Sequence, residues 1–340
     1  MTSLAVLSSG RRWHRPLLWV TGIMAALVVF SLCAMVVDHR RVLDESVWLK
    51  PAKFGLAFTL YTGTLAWLLS FPHKGSRITW WLGTVFAVTG VMDVGFIVVQ
   101  AARGTFSHFN HETDAVNRIG QLVFDTGVPG LFFANLCIAL ILCWQRILDR
   151  PFSRAVHAGL GIAVGGMALM YLVSTASGKQ TVHDATGKPV RLTAGHTVLH
   201  SHPMARDGGP GLPITHWSTV GGDMRVPHFF GLHGIQVLLL AAIALAWAGR
   251  RYPWLTERVR ARLIGVLSLG YAGMVALLLW QALHAQPLTH PDRTTLLAAG
   301  ALITATALAT AAVIGLARRA ERPTLAPPQL DTAAALPIRR

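Results

Sequence analysis

The stretch Ile78–Ala101, ITWWLGTVFAVTGVMDVGFIVVQA, decides how the chain is built. Its 24 residues contain one ionisable side chain, Asp93. At a rise of about 1.5 Å per residue they cross a hydrocarbon core roughly 30 Å thick as one helix. Seven further segments read the same way: Pro16–Val37, Pro51–Phe71, Gln121–Gln145, Ala155–Ala176, Pro227–Gly249, Leu263–His284 and Thr294–Ala317. Hydrophobic residues make up 53% of the chain and charged residues 13%, against roughly 25% charged in soluble domains. The sequence therefore predicts an all-α membrane protein, a bundle of about eight transmembrane helices over residues 16–317. An N-terminal arm (1–15) and a Pro/Ala/Arg-rich tail (318–340), expected to be disordered, flank it.

Arg11, Arg12 and Arg15 ahead of the first apolar run resemble a signal peptide. The run is longer than the usual cleavable core and no small-residue cleavage site follows, so an uncleaved first helix is expected. Orientation follows from the 30 Lys and Arg residues. With the N-terminus in the cytoplasm, 18 of them fall on short inner segments and 12 on the outer loops, five of these in one loop of about 50 residues. Trp67, Trp80, Trp81, Trp144, Trp247 and Trp254 gather near the inner boundary, as an aromatic belt would. Both termini are then cytoplasmic, in the plasma membrane of a bacterium whose preference for Arg (25) over Lys (5) fits a GC-rich genome. The net charge of +15 reads as an orientation signal, and no nucleic-acid partner is expected. Cys33, Cys137 and Cys143 all fall within predicted helices and form no CxxC pair, which excludes a disulfide framework.

This orientation makes the two faces chemically unequal. Twelve of the fifteen histidines lie outside, together with a long extracytoplasmic loop, residues 177–226, expected to fold back as a cap through Ile214, Trp217, Val220 and Met224. Only Asp93 and Asp125 place carboxylates within the spans, where an ionisable group costs at least about 2.5–3.5 kcal/mol. Helix direction puts Asp93 roughly 10 Å and Asp125 about 6 Å below the outer boundary. Gln100 shares a stripe with Asp93, and Gln121 lies one turn before Asp125. His233 pairs with Gln236, and Gln281 with His284, at similar depth. Pro129 removes the intrahelical partner of the Asp125 carbonyl, which suits either a proton, cation or ligand site or a packing kink with Asp125 paired to Arg118, Lys53 or a backbone group. These residues predict an outward-facing polar pocket, with Asp93, Asp125 and His233 as catalytic candidates. Lys53, Gln100, Gln121, Gln236 and Gln281 are the ligand-binding candidates.

Three histidine groupings suggest metal: His108, His111 and Glu112 in SHFNHET; His200 and His202 in HSH; His228 and His233 in PHFFGLH. His108, His228, His233 and His284 share the pocket depth and are the metal candidates, and a haem between His233 and His284 is a further option. No HExxH, phosphate loop, nucleophile elbow or dinucleotide fingerprint is present. The runs WLKPAKF, SHFN, DGGPGLP and GGDMRVPHFFGLHGIQ resemble an uncharacterised family of bacterial polytopic integral membrane proteins, a resemblance that implies no established activity. Three functions stay open. One is a membrane enzyme or redox protein binding metal, haem or a lipophilic substrate reached from the extracytoplasmic side. The others are a proton- or ion-coupled transporter and a non-enzymatic sensor or assembly factor. The uncharged inner halves of the spans count against transport.

Overall fold

The computed structural model describes residues 13–173, 179–199 and 210–321, and within them nine α-helices. The first twelve residues, His200 and His202 of HSH, part of DGGPGLP and the tail from residue 322 lie outside the described residues. Helix α1 (Arg15–Val37) begins at His14, whose Nδ1 accepts from the Leu17 N–H at 3.2 Å. A two-residue-per-strand hairpin, β1 (Arg41–Val42) and β2 (Glu45–Ser46), leads into α2 (Leu49–Leu69). Helices α3 (Ser76–Arg103) and α4 (Ala115–Cys143) follow, and α4 is capped by the Asp114 carboxylate on the Asn117 N–H. Helix α5 (Arg150–Ala168) runs on into a 3₁₀ turn, Leu169–Leu172. Then come the hairpin β3 (Gln180–His183)/β4 (Pro189–Leu192) and the antiparallel pair β5 (Thr197–Val198)/β6 (Gly222–Asp223). Helices α6 (Arg225–Leu232), α7 (Gly234–Arg251), α8 (Glu257–Leu283) and α9 (Arg293–Glu321) complete the chain.

Seven of the helices are long and apolar enough to cross a membrane: α1, α3, α4, α5 with its 3₁₀ turn, α7, α8 and α9. The eighth expected segment, α2, falls short among the described residues. Pro51, Lys50, Lys53, Thr59, Thr62 and Thr64 dilute its apolar content. The reason is its position. It packs between α1 and α3 with Tyr61, Thr62, Leu65, Ala66 and Leu68 buried, so its polar groups meet protein. The hydroxyl of Thr62 donates to the Phe58 carbonyl and pairs with Thr21 of α1 at 2.8 Å.

The segment Pro227–Gly249, expected as one helix, is divided at His233, whose backbone (φ −88°, ψ 6°) departs from helical geometry. Close packing accounts for the position of the break. Added Cβ atoms show how tight it is: one on Gly166 of α5 would lie 2.5 Å from the Leu232 nitrogen, and one on Gly231 would lie 2.6 Å from the Gly166 Cα. Backbones approach this closely only through glycine, the usual device of helix contacts in a membrane. The main core runs through α1 to α5, α7 and α8 around Leu17, Leu65, Phe86, Ile138, Leu160 and Leu238. Helix α9 rests on α8 at the periphery, with none of its apolar window buried.

Candidate functional site

The loops at one end of the bundle fold together into a cap. Strand β4 lies along the 104–114 loop: the His111 N–H donates to the Arg191 carbonyl at 2.9 Å, and the Thr193 N–H to the Phe109 carbonyl at 2.8 Å. The turn 212–217 closes through the Leu212 N–H on the Trp217 carbonyl and the His216 N–H on the Leu212 carbonyl. Two ion pairs hold this turn. Asp223, its side chain 1% exposed, meets Arg225 at 2.6 Å, and Arg225 Nη2 also donates to the His216 carbonyl at 2.7 Å. Glu45 accepts from Lys53 Nζ at 2.9 Å and faces His216 Nδ1 at 3.2 Å. Lys53 also donates to the Thr215 carbonyl. The cap is thus pinned to the first turn of α2.

Beneath it lies a cavity of about 510 Å³. Its walls are apolar, with Phe54, Leu60, Ile97, Phe106, Met170 and Trp217 among them, and its polar lining includes Lys50, Lys53, His108, His196, His228 and His233. Sites for small molecules have this composition, an apolar container with a few placed polar groups. The wall extends onto Leu56 and Leu60 of α2, which are 53% and 48% exposed, so the cavity reaches the flank of the bundle. The His108 Nδ1 is 3.1 Å from both Lys50 Nζ and Ser107 Oγ, and its ring lies 4.5 Å from that of Phe124 and 6.4 Å from that of His196. Burial first, then the Lys50 charge, holds its pKa well below the ordinary imidazole value. On α6, His228 Nδ1 lies 2.8 Å from the Gly166 carbonyl. His233, at the break between α6 and α7, stacks nearly parallel to Phe229 at 6.5 Å.

The structure therefore gathers Lys53, His108, His228 and His233 and disperses the other expected site residues. Gln100 Nε2 donates to the Phe106 carbonyl and to Asn117 Oδ1, and its Oε1 accepts from Arg103. Gln121 Nε2 donates to the Ser107 carbonyl. These two glutamines brace the loop that presents His108. Gln236 ties α7 to Thr64 of α2 at 3.1 Å, and Gln281 holds the Pro287 carbonyl at 2.7 Å. Asp93 is buried between α3 and α4 against Gly127, with neither carboxylate oxygen hydrogen-bonded among the described residues. Asp125 is exposed on α4. Lys53 is the counter-ion of neither, because Glu45 of the β-hairpin is within its reach. His284 stacks on Trp280 at 3.8 Å and is not part of the cavity lining, so it does not face His233 across a shared haem site. Among the described residues no three His, Cys, Asp or Glu side chains converge as a metal set.

Sequence reasoning missed Glu45, His196, His216 and the pair Asp223/Arg225. The spacing Asp-x-Arg just before a helix was the available signal, since an aspartate two residues ahead can cap the backbone and pair with the side chain together. Both occur here: Asp223 Oδ1 accepts from the Arg225 N–H and Nε at 2.9 Å. No protein-family model matches the sequence, and comparison with curated proteins and with solved structures finds no match for this chain.

Proposed function

We propose that the chain is an eight-span protein of a bacterial plasma membrane, with α2 as the eighth span, both termini cytoplasmic and the cap outside, and that its cavity binds a lipophilic ligand drawn from the outer leaflet. The observation that carries this reading is the continuity of the cavity wall with exposed Leu56 and Leu60 on α2. In this orientation those side chains face acyl chains, and Ile214, also exposed, lines the cavity from the cap above them. A ligand entering sideways stays out of water throughout, whereas its polar end meets the imidazoles beneath the cap. The opposite end of the bundle is filled by Leu65, Leu68, Phe86, Ile138 and Leu142, all buried, which favours a one-ended binding site over a route for transport.

Two measurements test this reading. A reporter fused after residue 190 is expected to report an extracytoplasmic position and one after residue 340 a cytoplasmic position; the reverse pattern would overturn the orientation. Native mass spectrometry of the purified chain is expected to show retained lipid that is reduced on Ala57→Trp, since Ala57 lines the cavity and an indole there would obstruct it. Equal retention by both proteins, or none by the wild type, removes the lipophilic-ligand reading.

A further inference from the structure

The cavity fixes two imidazoles in opposite tautomers. An ammonium group only donates, so the Lys50 contact makes His108 Nδ1 the acceptor and leaves the ring proton on Nε2. A carbonyl only accepts, so the Gly166 contact makes His228 Nδ1 the donor, and the neutral ring keeps its lone pair on Nε2. Both residues line the cavity, and neither Nε2 is taken by another protein group among the described residues. These two rings therefore offer a ligand one N–H donor and one nitrogen acceptor. Two of the three cations in the cavity lining are already balanced by carboxylates. Lys53 is neutralised by Glu45 at 2.9 Å, Arg225 by Asp223 at 2.6 Å, and the Lys50 ammonium donates to His108.

We propose that the ligand is an uncharged hydroxylated ester lipid of the mono- or diacylglycerol class, its carbonyl oxygen accepting from His108 Nε2 and its hydroxyl donating to His228 Nε2. The acyl chains then leave past Leu56 and Leu60. This inference rests on the lipophilic-ligand reading and narrows it to a head group. An ester lipid with a free hydroxyl carries both halves of the pattern. A phosphate in place of that hydroxyl adds charge where Lys53 and Arg225 are already paired with carboxylates, and a methyl ether removes the donor.

The test uses the full-length chain in detergent micelles and follows Trp fluorescence, with Trp217→Phe to isolate the indole that lines the cavity. The probes are 1,2-dioctanoylglycerol, its methyl ether and dioctanoylphosphatidic acid. Saturable binding of the diacylglycerol is expected, with the ether and the phosphatidic acid each about tenfold weaker, the scale of one lost hydrogen bond. His228→Asn keeps a donor for the Gly166 carbonyl and loses the acceptor at the Nε2 position, so it is expected to weaken diacylglycerol about tenfold. His228→Gln, which places Oε1 near that position, is expected to restore most of the binding, which a merely structural role for His228 would not produce. Circular dichroism confirms that both variants are folded. Equal binding of diacylglycerol and ether, tighter binding of phosphatidic acid, or wild-type affinity in His228→Asn overturns the proposal and leaves the lipophilic-ligand reading standing. Absence of saturable binding by all three probes, together with no retained lipid in the mass spectrum, overturns both.

Discussion

Asp223→Ala is expected to unseat the cap and destabilise the chain by about 3–5 kcal/mol, the cost of leaving a buried charge without its partner. The carboxylate receives Arg225 Nη2 at 2.6 Å and Nε at 2.9 Å, together with the backbone N–H groups of Arg225 and Ser218. Its removal strips four donors at once. Arg225 loses its carboxylate partner inside a wall it shares with the cavity, while its contact to the His216 carbonyl remains. Thermal unfolding in detergent should shift down, and trypsin should cut at Arg191 under conditions where the wild type resists. The double variant Asp223→Ala/Arg225→Met should recover part of the loss, because replacing both partners by apolar groups removes the unpaired charge. Unchanged melting in Asp223→Ala, or a double variant worse than the single, would contradict the assignment of this pair as the clasp of the cap.

The second large effect is expected at Gly166. A methyl group there would lie 2.5 Å from the Leu232 nitrogen and 2.6 Å from the Gly231 carbonyl carbon, and backbone atoms cannot swing aside. Gly166→Ala should therefore push α6 off α5 at a cost of about 1–3 kcal/mol, the usual range for overpacking. It should also move His228 out of register, since the Gly166 carbonyl is the acceptor that aims that ring. The neighbouring Gly165→Ala is the control. Nothing lies within 4 Å of its added methyl, and alanine in a helix interior gains roughly 0.5–1 kcal/mol over glycine. Opposite signs for adjacent glycines would identify the α5–α6 contact as the cause; a matching shift in both would point to helix propensity alone.

Much of the bundle was legible because membrane-length apolar runs are a one-dimensional signal, and seven of the eight expected segments emerge as helices of sufficient length and hydropathy. Helix α2 tests the limit of that signal. Its lysines and threonines lower its mean hydropathy, yet its inner face is among the most buried surfaces of the protein. The break at His233 was not legible either, because it depends on Gly166, about 65 residues earlier in the chain. For the candidate site, residue type and depth pointed to Lys53, His108, His228 and His233, which the structure places around one cavity. The same reasoning grouped the glutamines with them, whereas Gln100, Gln121 and Gln281 each donate to a loop carbonyl, which an amide at a helix end serves as readily as a ligand. Asp93 and Asp125 show the same gap. Depth places both, but only packing reveals that one faces Gly127 across a helix contact and the other faces away from the bundle.

The cap also imposes an order on how the molecule is made. Its apolar side chains fall into two clusters: Val182, Val190 and Leu192 pack with Leu43, Phe106 and Phe109 of the neighbouring loops, while Val198 and Met224 pack on Val173 and on Ala282 of α8. Strand β6 seats Gly222 so tightly on Ala282 that an added methyl would overlap the Ala282 carbonyl. Residue 282 leaves the ribosome some sixty residues after the cap does. The contact between β6 and α8 can therefore form only once α8 has been made, later than the ion pairs that hold the turn 212–217.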